Sequence, residues 1–241
     1  MQITTQVPAT AVARTPACAS EGATTPAKAR GRPLSFDREA ALEQAMHVFW
    51  ERGYEAASIA DLTQAMGITP PSLYTAFGDK ARLFLEAIER YALGPGSAGP
   101  RALREEPTAR RAIERWLQES AEELTRPTHP KGCMVVMAAT NCSVAAEHVQ
   151  LALTKRRAVA IANIHSRIQS SIDSGELPPA TDAKALGNFF STIYQGMSMQ
   201  AKDGATRASL MATVDTAMRA WPTAPAATHP GTPAKAASSG D

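Results

Sequence analysis

Side chains that could do chemistry gather between residues 58 and 80, in the stretch SIADLTQAMGITPPSLYTAFGDK, where Ser58, Thr69, Ser72, Tyr74 and Thr75 are closed by Lys80. The chemistry is that of small hydrogen-bonding hydroxyls and one point charge. Leu73 and Phe77 fall four apart and can pack inward together, which turns Ser72 and Thr75 to the opposite side with Tyr74 on the flank. Side chains this small let a helix approach a DNA major groove closely enough for Ser or Thr to bond base edges, or for a threonine methyl to meet a thymine methyl.

The elements that must carry these groups are two short helices joined by a glycine turn. Ser58 is a good N-cap for a helix beginning at Ile59, and Asp61 places an acid in its positive first turn. Ile59, Leu62 and Met66 share one face, and Gly67 ends the helix where positive φ is cheap. Thr69 caps the second helix, and Pro70 and Pro71 occupy its first positions, where their missing N–H groups cost nothing. In such a helix-turn-helix the second helix enters the groove, so Ser58 and Thr69 fall where phosphates lie, while Pro71, Ser72, Tyr74 and Thr75 stand on the reading helix with Lys80 beside it. Before them, Phe36-Asp37 opens a helix with Leu42, Ala45, Met46, Phe49 and Trp50 on one face, ending at Gly53-Tyr54.

That supporting helix followed by GYEAASIADLTQAMGITPPSLYTAFGDKARLF resembles the amino-terminal DNA-binding domain of the TetR family of bacterial transcriptional regulators, over residues 34–93. The resemblance implies a three-helix head in which Ser58, Thr69, Ser72, Tyr74, Thr75 and Lys80 stand at positions that commonly meet DNA. Ala76 departs from the aromatic or basic residue often found there, which leaves local operator preference open.

Charge adds little, because the net charge is only +2 over 241 residues. The exception is the arm Lys28-Ala-Arg30-Gly-Arg32-Pro33, whose Arg30 and Arg32 can follow a phosphate backbone or enter a minor groove. Residues 1–33, rich in Ala, Thr and Pro, and the similar tail 222–241 read as disordered. No secretory or membrane-spanning apolar run is present in the sequence, and the expected location is cytoplasmic.

Three cysteines, Cys18, Cys133 and Cys142, have no familiar metal spacing and suit a reduced compartment. The plainer reading makes Cys133 and Cys142 small apolar core residues; the alternative is a thiol-based redox or soft-metal sensor using His129, Cys133, Cys142 and His148. No phosphate loop, metal-ligand helix or nucleophile with an identifiable base is present, so an enzyme is not expected, nor a cofactor.

After the breaker-rich link 94–100, helical periodicity returns. Thr108 caps a helix through Ile113, Trp116, Leu117 and Leu124; residues 132–139 read as a short buried helix; and a long helix runs from about Val144 to Ser174. Asp182 and Thr206 cap two further apolar helices. The expected fold is thus all-α, with a helix-turn-helix head at 34–93 joined to a helical effector-binding and dimerisation domain at 101–221. The resemblance implies that the last two helices meet their copy in a four-helix interface, giving a homodimer that reads a palindromic operator in double-stranded DNA, with half-sites roughly 34 Å or a multiple apart. The leading functional reading is a repressor released by a small-molecule effector, held among Trp116, Met134, Met137, Asn141, Cys142 and Tyr194, where Met and aromatic walls suit an apolar or amphipathic compound.

Overall fold

The structure is a computed structural model that describes residues 36–222. The arm carrying Arg30 and Arg32, and the predicted tails apart from Pro222, lie outside the described residues. Within them the protein is all-helical, with no strand.

The first four helices are α1 (Arg38–Ala56), α2 (Ile59–Met66), α3 (Pro70–Phe77) and α4 (Lys80–Leu93). Asp37 caps α1 by accepting from the Glu39 and Ala40 amides. Gly53 takes φ 78° and breaks the last turn of α1, so that the Tyr54 N–H donates to the Ala138 carbonyl at 2.7 Å. Ser58 and Asp61 form a reciprocal capping box on α2, the Asp61 amide donating to Ser58 Oγ at 3.1 Å and the Ser58 amide to the Asp61 carboxylate at 3.0 Å. Arg52 of α1 pairs with the same carboxylate at 2.7 Å. Ser58→Ala removes the cap and is expected to cost about 1 kcal/mol in a denaturant titration. Gly67 closes α2 in the left-handed region at φ 65°, as the sequence requires.

The remaining helices are α5 (Ala98–Glu105), α6 (Ala109–Leu124), α7 (Met134–Met137), α8 (Glu147–Asp173), α9 (Ala183–Lys202) and α10 (Arg207–Met218). Residues 94–100 do not form an open link. Pro95–Ser97 make a 3-10 turn and α5 starts at Ala98, with Pro100 in its first turn where no amide partner is missed. Gly99 lets α5 approach α6: a Cβ there would lie 3.0 Å from the Trp116 indole nitrogen. The short helix read over 132–139 contracts to the single turn α7, whose Met134 is fully buried.

The two predicted units share one hydrophobic core, running from Leu42, Phe49, Leu73 and Phe84 through Tyr91, Ile113 and Leu117 to Phe190 and Trp221. The last helix has one apolar face packed within its own chain. α10 spends its apolar face internally, burying Leu210, Val214 and Met218, while the Trp221 ring beyond it lies 5.6 Å from that of Phe190. Exposed large apolar side chains of this half lie instead on α8 (Leu151, Val159) and α9 (Phe189, Met199), apart from Val144 just before α8.

Candidate nucleic-acid interface and effector cavity

The helix pair α2–α3 is fixed from behind. Leu62, Leu73 and Phe77 are buried, Arg38 lies over the Phe77 ring at 4.4 Å, and Asp79 caps α4 through the Arg82 amide. On the other side Pro71, Tyr74 and Thr75 are exposed and Ser72 is half-buried, so Tyr74 presents its ring outward, 50% exposed. Thr69 Oγ1 caps α3 and lies 3.0 Å from Ser72 Oγ, while Thr75 Oγ1 donates back to the Pro71 carbonyl at 2.8 Å. Each hydroxyl keeps an acceptor lone pair for a further partner, and the Thr75 bond leaves its methyl free for contact.

Lys80 is placed differently from a free point charge. Its ammonium donates to the Glu55 carbonyl at 3.3 Å and sits 4.5 Å from the Tyr54 ring centre, and burial lowers its pKa against the opposing pull of Glu55. It takes part in a junction where the Glu55 carboxylate accepts from the Ser143 amide and hydroxyl at 2.7 and 2.8 Å. Those two bonds hold Glu55 below its ordinary value.

Behind the head, α4, α5, α6, α8 and α9 line a cavity of about 520 Å³ that opens to solvent on one side and also touches α7. Trp116 and Tyr194 line it, their rings 5.1 Å apart, together with Tyr91, Leu103, Leu124, Val135, Val136 and Ile164. Of the other expected wall residues, none borders it. Met134 is packed in the core, and Met137 turns its sulfur towards Gly132. Asn141 is exposed, and Cys142 sits at the junction near Glu55 and Lys80. A single helical turn followed by a reversal sends neighbouring residues to different surroundings, which nearness in sequence does not reveal. Cys133 takes the place expected of Cys142: its thiol lies on the cavity wall facing the buried Tyr91 and Tyr194 phenols, whose pKa values are raised mainly by burial.

Tyr91 was absent from the expected wall because α4 reads as part of the head. Its signal was there: Leu83, Ala87 and Tyr91 continue one apolar stripe to the helix end. Glu123 also borders the cavity, and a charged residue on an amphipathic helix gives no such sign. Among the described residues no cluster of three or more His, Cys, Asp or Glu side chains could hold a metal, and His129, Cys133, Cys142 and His148 are not brought together as one. No described helix is long and apolar enough to cross a membrane.

Comparison with known proteins decides what this arrangement belongs to. Residues 41–87 match the family model described as bacterial regulatory proteins, tetR family, and residues 108–220 match the tetracyclin repressor-like C-terminal domain. The HTH-type transcriptional repressor ComR of Escherichia coli (strain K12) is 36% identical over 197 residues, covering 81% of this chain and 93% of ComR. The chain belongs to the TetR family. The HTH-type transcriptional repressor BdcR of the same organism is 29% identical over 183 residues, 76% of this chain and 88% of BdcR. Among solved structures, a cysteine-substituted form of the TetR family transcriptional regulator CifR, complexed with 26-bp double-strand operator DNA, matches with TM-score 0.77 and 43% identity. That match covers 80% of this chain and all of CifR. This TetR-family protein is accordingly a DNA-binding transcriptional regulator and not an enzyme.

Proposed function

We propose that the protein is a dimeric repressor: two heads read a palindromic operator in double-stranded DNA, and a small, mostly apolar compound in the cavity releases them. The observation that carries this reading is α4, which contributes Leu83 and Phe84 to the head core and Tyr91 and Ala92 to the cavity wall. An occupant that moves Tyr91 therefore acts on a helix that also supports α3. Regulation then follows from differential affinity of the occupant for two placements of the heads, and the coupling is reciprocal between compound and DNA.

Exposed Phe189 and Met199 on α9, with Leu151 on α8, supply an apolar surface for a second copy. The names of ComR and BdcR as repressors and the operator bound by CifR support the direction of control and the partner. Ser58, Thr69, Pro71, Ser72, Tyr74 and Thr75 form the proposed DNA-facing set, and Arg30 and Arg32 add phosphate contacts from the arm. Lys80 joins them only by leaving Glu55 and Tyr54. A DNA partner places the protein in the cytoplasm. The thiol-sensing alternative has weaker support, because burial and then Glu55 raise the Cys142 pKa, whereas the thiolate is the reactive form.

The test is selection of bound fragments from the protein's own genomic DNA at physiological salt, beside the Ser72→Ala, Thr75→Ala double variant, with sedimentation to fix the stoichiometry. A palindrome enriched by the native dimer and lost in the variant is expected. No enriched site from a folded dimer, or a monomer bound to a single half-site, would overturn the proposal.

A further inference from the structure

A second connection between cavity and head runs through three side chains whose roles the family assignment leaves open. Trp50, on the last regular turn of α1, is held in a box made by Gly132 and His129 of the effector half and by Tyr91 at the end of α4. Its indole N–H donates to the Gly132 carbonyl at 2.9 Å, and the bond is buried. The His129 ring stacks on it with centroids 4.4 Å apart and planes 24° apart, and the Tyr91 ring meets it edge-on at 4.8 Å. His129 is enclosed, its side chain 8% exposed. Its Nε2 lies 2.9 Å from the Glu123 carboxylate and its Nδ1 lies 2.9 Å from the Pro130 carbonyl. Glu123 borders the cavity.

On the head side, two residues beyond Trp50, Arg52 pairs with Asp61, the residue that closes the capping box of α2. A series of side-chain contacts thus runs from the cavity through Glu123 and His129 to Trp50, and from Trp50 the backbone of α1 leads within two residues to Arg52 and its partner Asp61 at the start of the helix-turn-helix.

We infer that His129 is the positioning residue through which occupancy of the cavity reaches the head: an occupant displaces the Glu123 carboxylate, the imidazole follows its side-chain partner, and Trp50 shifts with the ring stacked on it. The far end of the loop gives the motion its direction. Gly132 is anchored by its N–H to the Leu124 carbonyl at 3.1 Å, and the Cys133 N–H is anchored to Ser198 Oγ at 2.8 Å. With residues 132–133 fixed, displacement of His129 tilts the indole about its bond to Gly132. Packed interfaces convert small shifts of this kind into discrete rearrangements. This inference rests on the proposal that cavity occupancy controls DNA binding.

Because contiguity alone does not demonstrate coupling, the test is a double-mutant cycle. The effector is unidentified, so occupancy is mimicked by filling the cavity from within. Ser120, on α6 one turn before Glu123, borders the cavity and is buried; Ser120→Phe fills the space beside the carboxylate. Affinity for the selected operator is measured by fluorescence anisotropy for the native protein, Ser120→Phe, His129→Ala and the double variant. Filling is expected to weaken binding about tenfold when His129 is present and by less than about twofold when it is absent.

Equal weakening with and without His129 would overturn the relay while leaving effector control intact. No weakening in either background would overturn both. If His129→Ala fails to fold, Glu123→Ala cuts the series at its other end and must abolish the effect of filling in the same way. A merely structural role for His129 predicts additive losses, and a second filling variant, Val136→Phe on the α7 wall, reads the same coupling from another side.

Discussion

Gly132→Ala is expected to lower the melting temperature by roughly 6–12 °C. Gly132 stands at φ 81°, where an L side chain costs about 1–2 kcal/mol. A Cβ there would also lie 2.9 Å from the Ser198 carbonyl oxygen and 3.0 Å from the Met137 sulfur. The methionine can swing aside, but the backbone of α9 cannot, so the loop must move outward. That movement strains the Trp50 bond to the Gly132 carbonyl and the Cys133 bond to Ser198 Oγ. Strain, overpacking and weakened buried hydrogen bonds together amount to roughly 3 kcal/mol. Gly175→Ala is the control: φ is 78° there, but nothing lies within 4 Å of the added methyl. It is expected to show only the backbone cost, roughly a third of the Gly132 effect. Equal shifts in differential scanning calorimetry would show that the close approach to α9 is unimportant.

Tyr74→Ala is expected to abolish most operator binding while leaving stability within about 0.5 kcal/mol of the native protein. The ring is 50% exposed on α3, and no hydrogen bond to its hydroxyl is seen among the described residues. An aromatic ring left exposed beside small hydroxyls on a reading helix gives the fold little, whereas DNA can use both its face and its hydroxyl. Hydrogen bonds to charged groups contribute about 1.5–3 kcal/mol, so Tyr74→Phe should weaken binding by roughly tenfold or more if the hydroxyl meets a phosphate. The alanine variant should lose more. Because the tyrosine is neutral, the salt dependence of the remaining affinity should keep its slope, in contrast to Arg30→Ala with Arg32→Ala, which should flatten it. Unchanged anisotropy titrations for Tyr74→Ala would remove Tyr74 from the interface.

The local signals were legible in the sequence because their physics is local. Ser58, Gly67, Thr69, Thr108, Asp182 and Thr206 each mark a helix end through a side-chain bond to a nearby amide or through a positive φ, and each stands at the end it marked. Leu73 and Phe77 separated inward from outward on α3 for the same reason, since a helical period fixes faces without knowledge of what lies beyond them.

The cavity was only half legible. Trp116 and Tyr194 stood out as large aromatics, but Val135 and Val136 face a space made by five other helices, and periodicity carries no information about such spaces. The same limit explains α10. An apolar stripe says that a helix is covered, and only the structure shows that α6 and α9 of the same chain pack against it.

The continuous core bears on how such a regulator could be rebuilt. Trp50, Tyr54 and Tyr91 belong by sequence to the reading half, yet the Trp50 ring is held by Gly132 and His129, the Tyr91 ring walls the cavity, and the Tyr54 amide is bonded to the Ala138 carbonyl. A chimera that joins this sensing half to a foreign head at the chain link after Leu93 would bring a stranger's side chains into the box around Gly132 and His129. The seam that matters is a three-dimensional surface, so a working transplant must carry these three aromatics, and the Gly53 turn that aims the Tyr54 amide at the Ala138 carbonyl, as passengers of the sensor. Heads and sensors in this protein are therefore interchangeable parts only when cut along that surface.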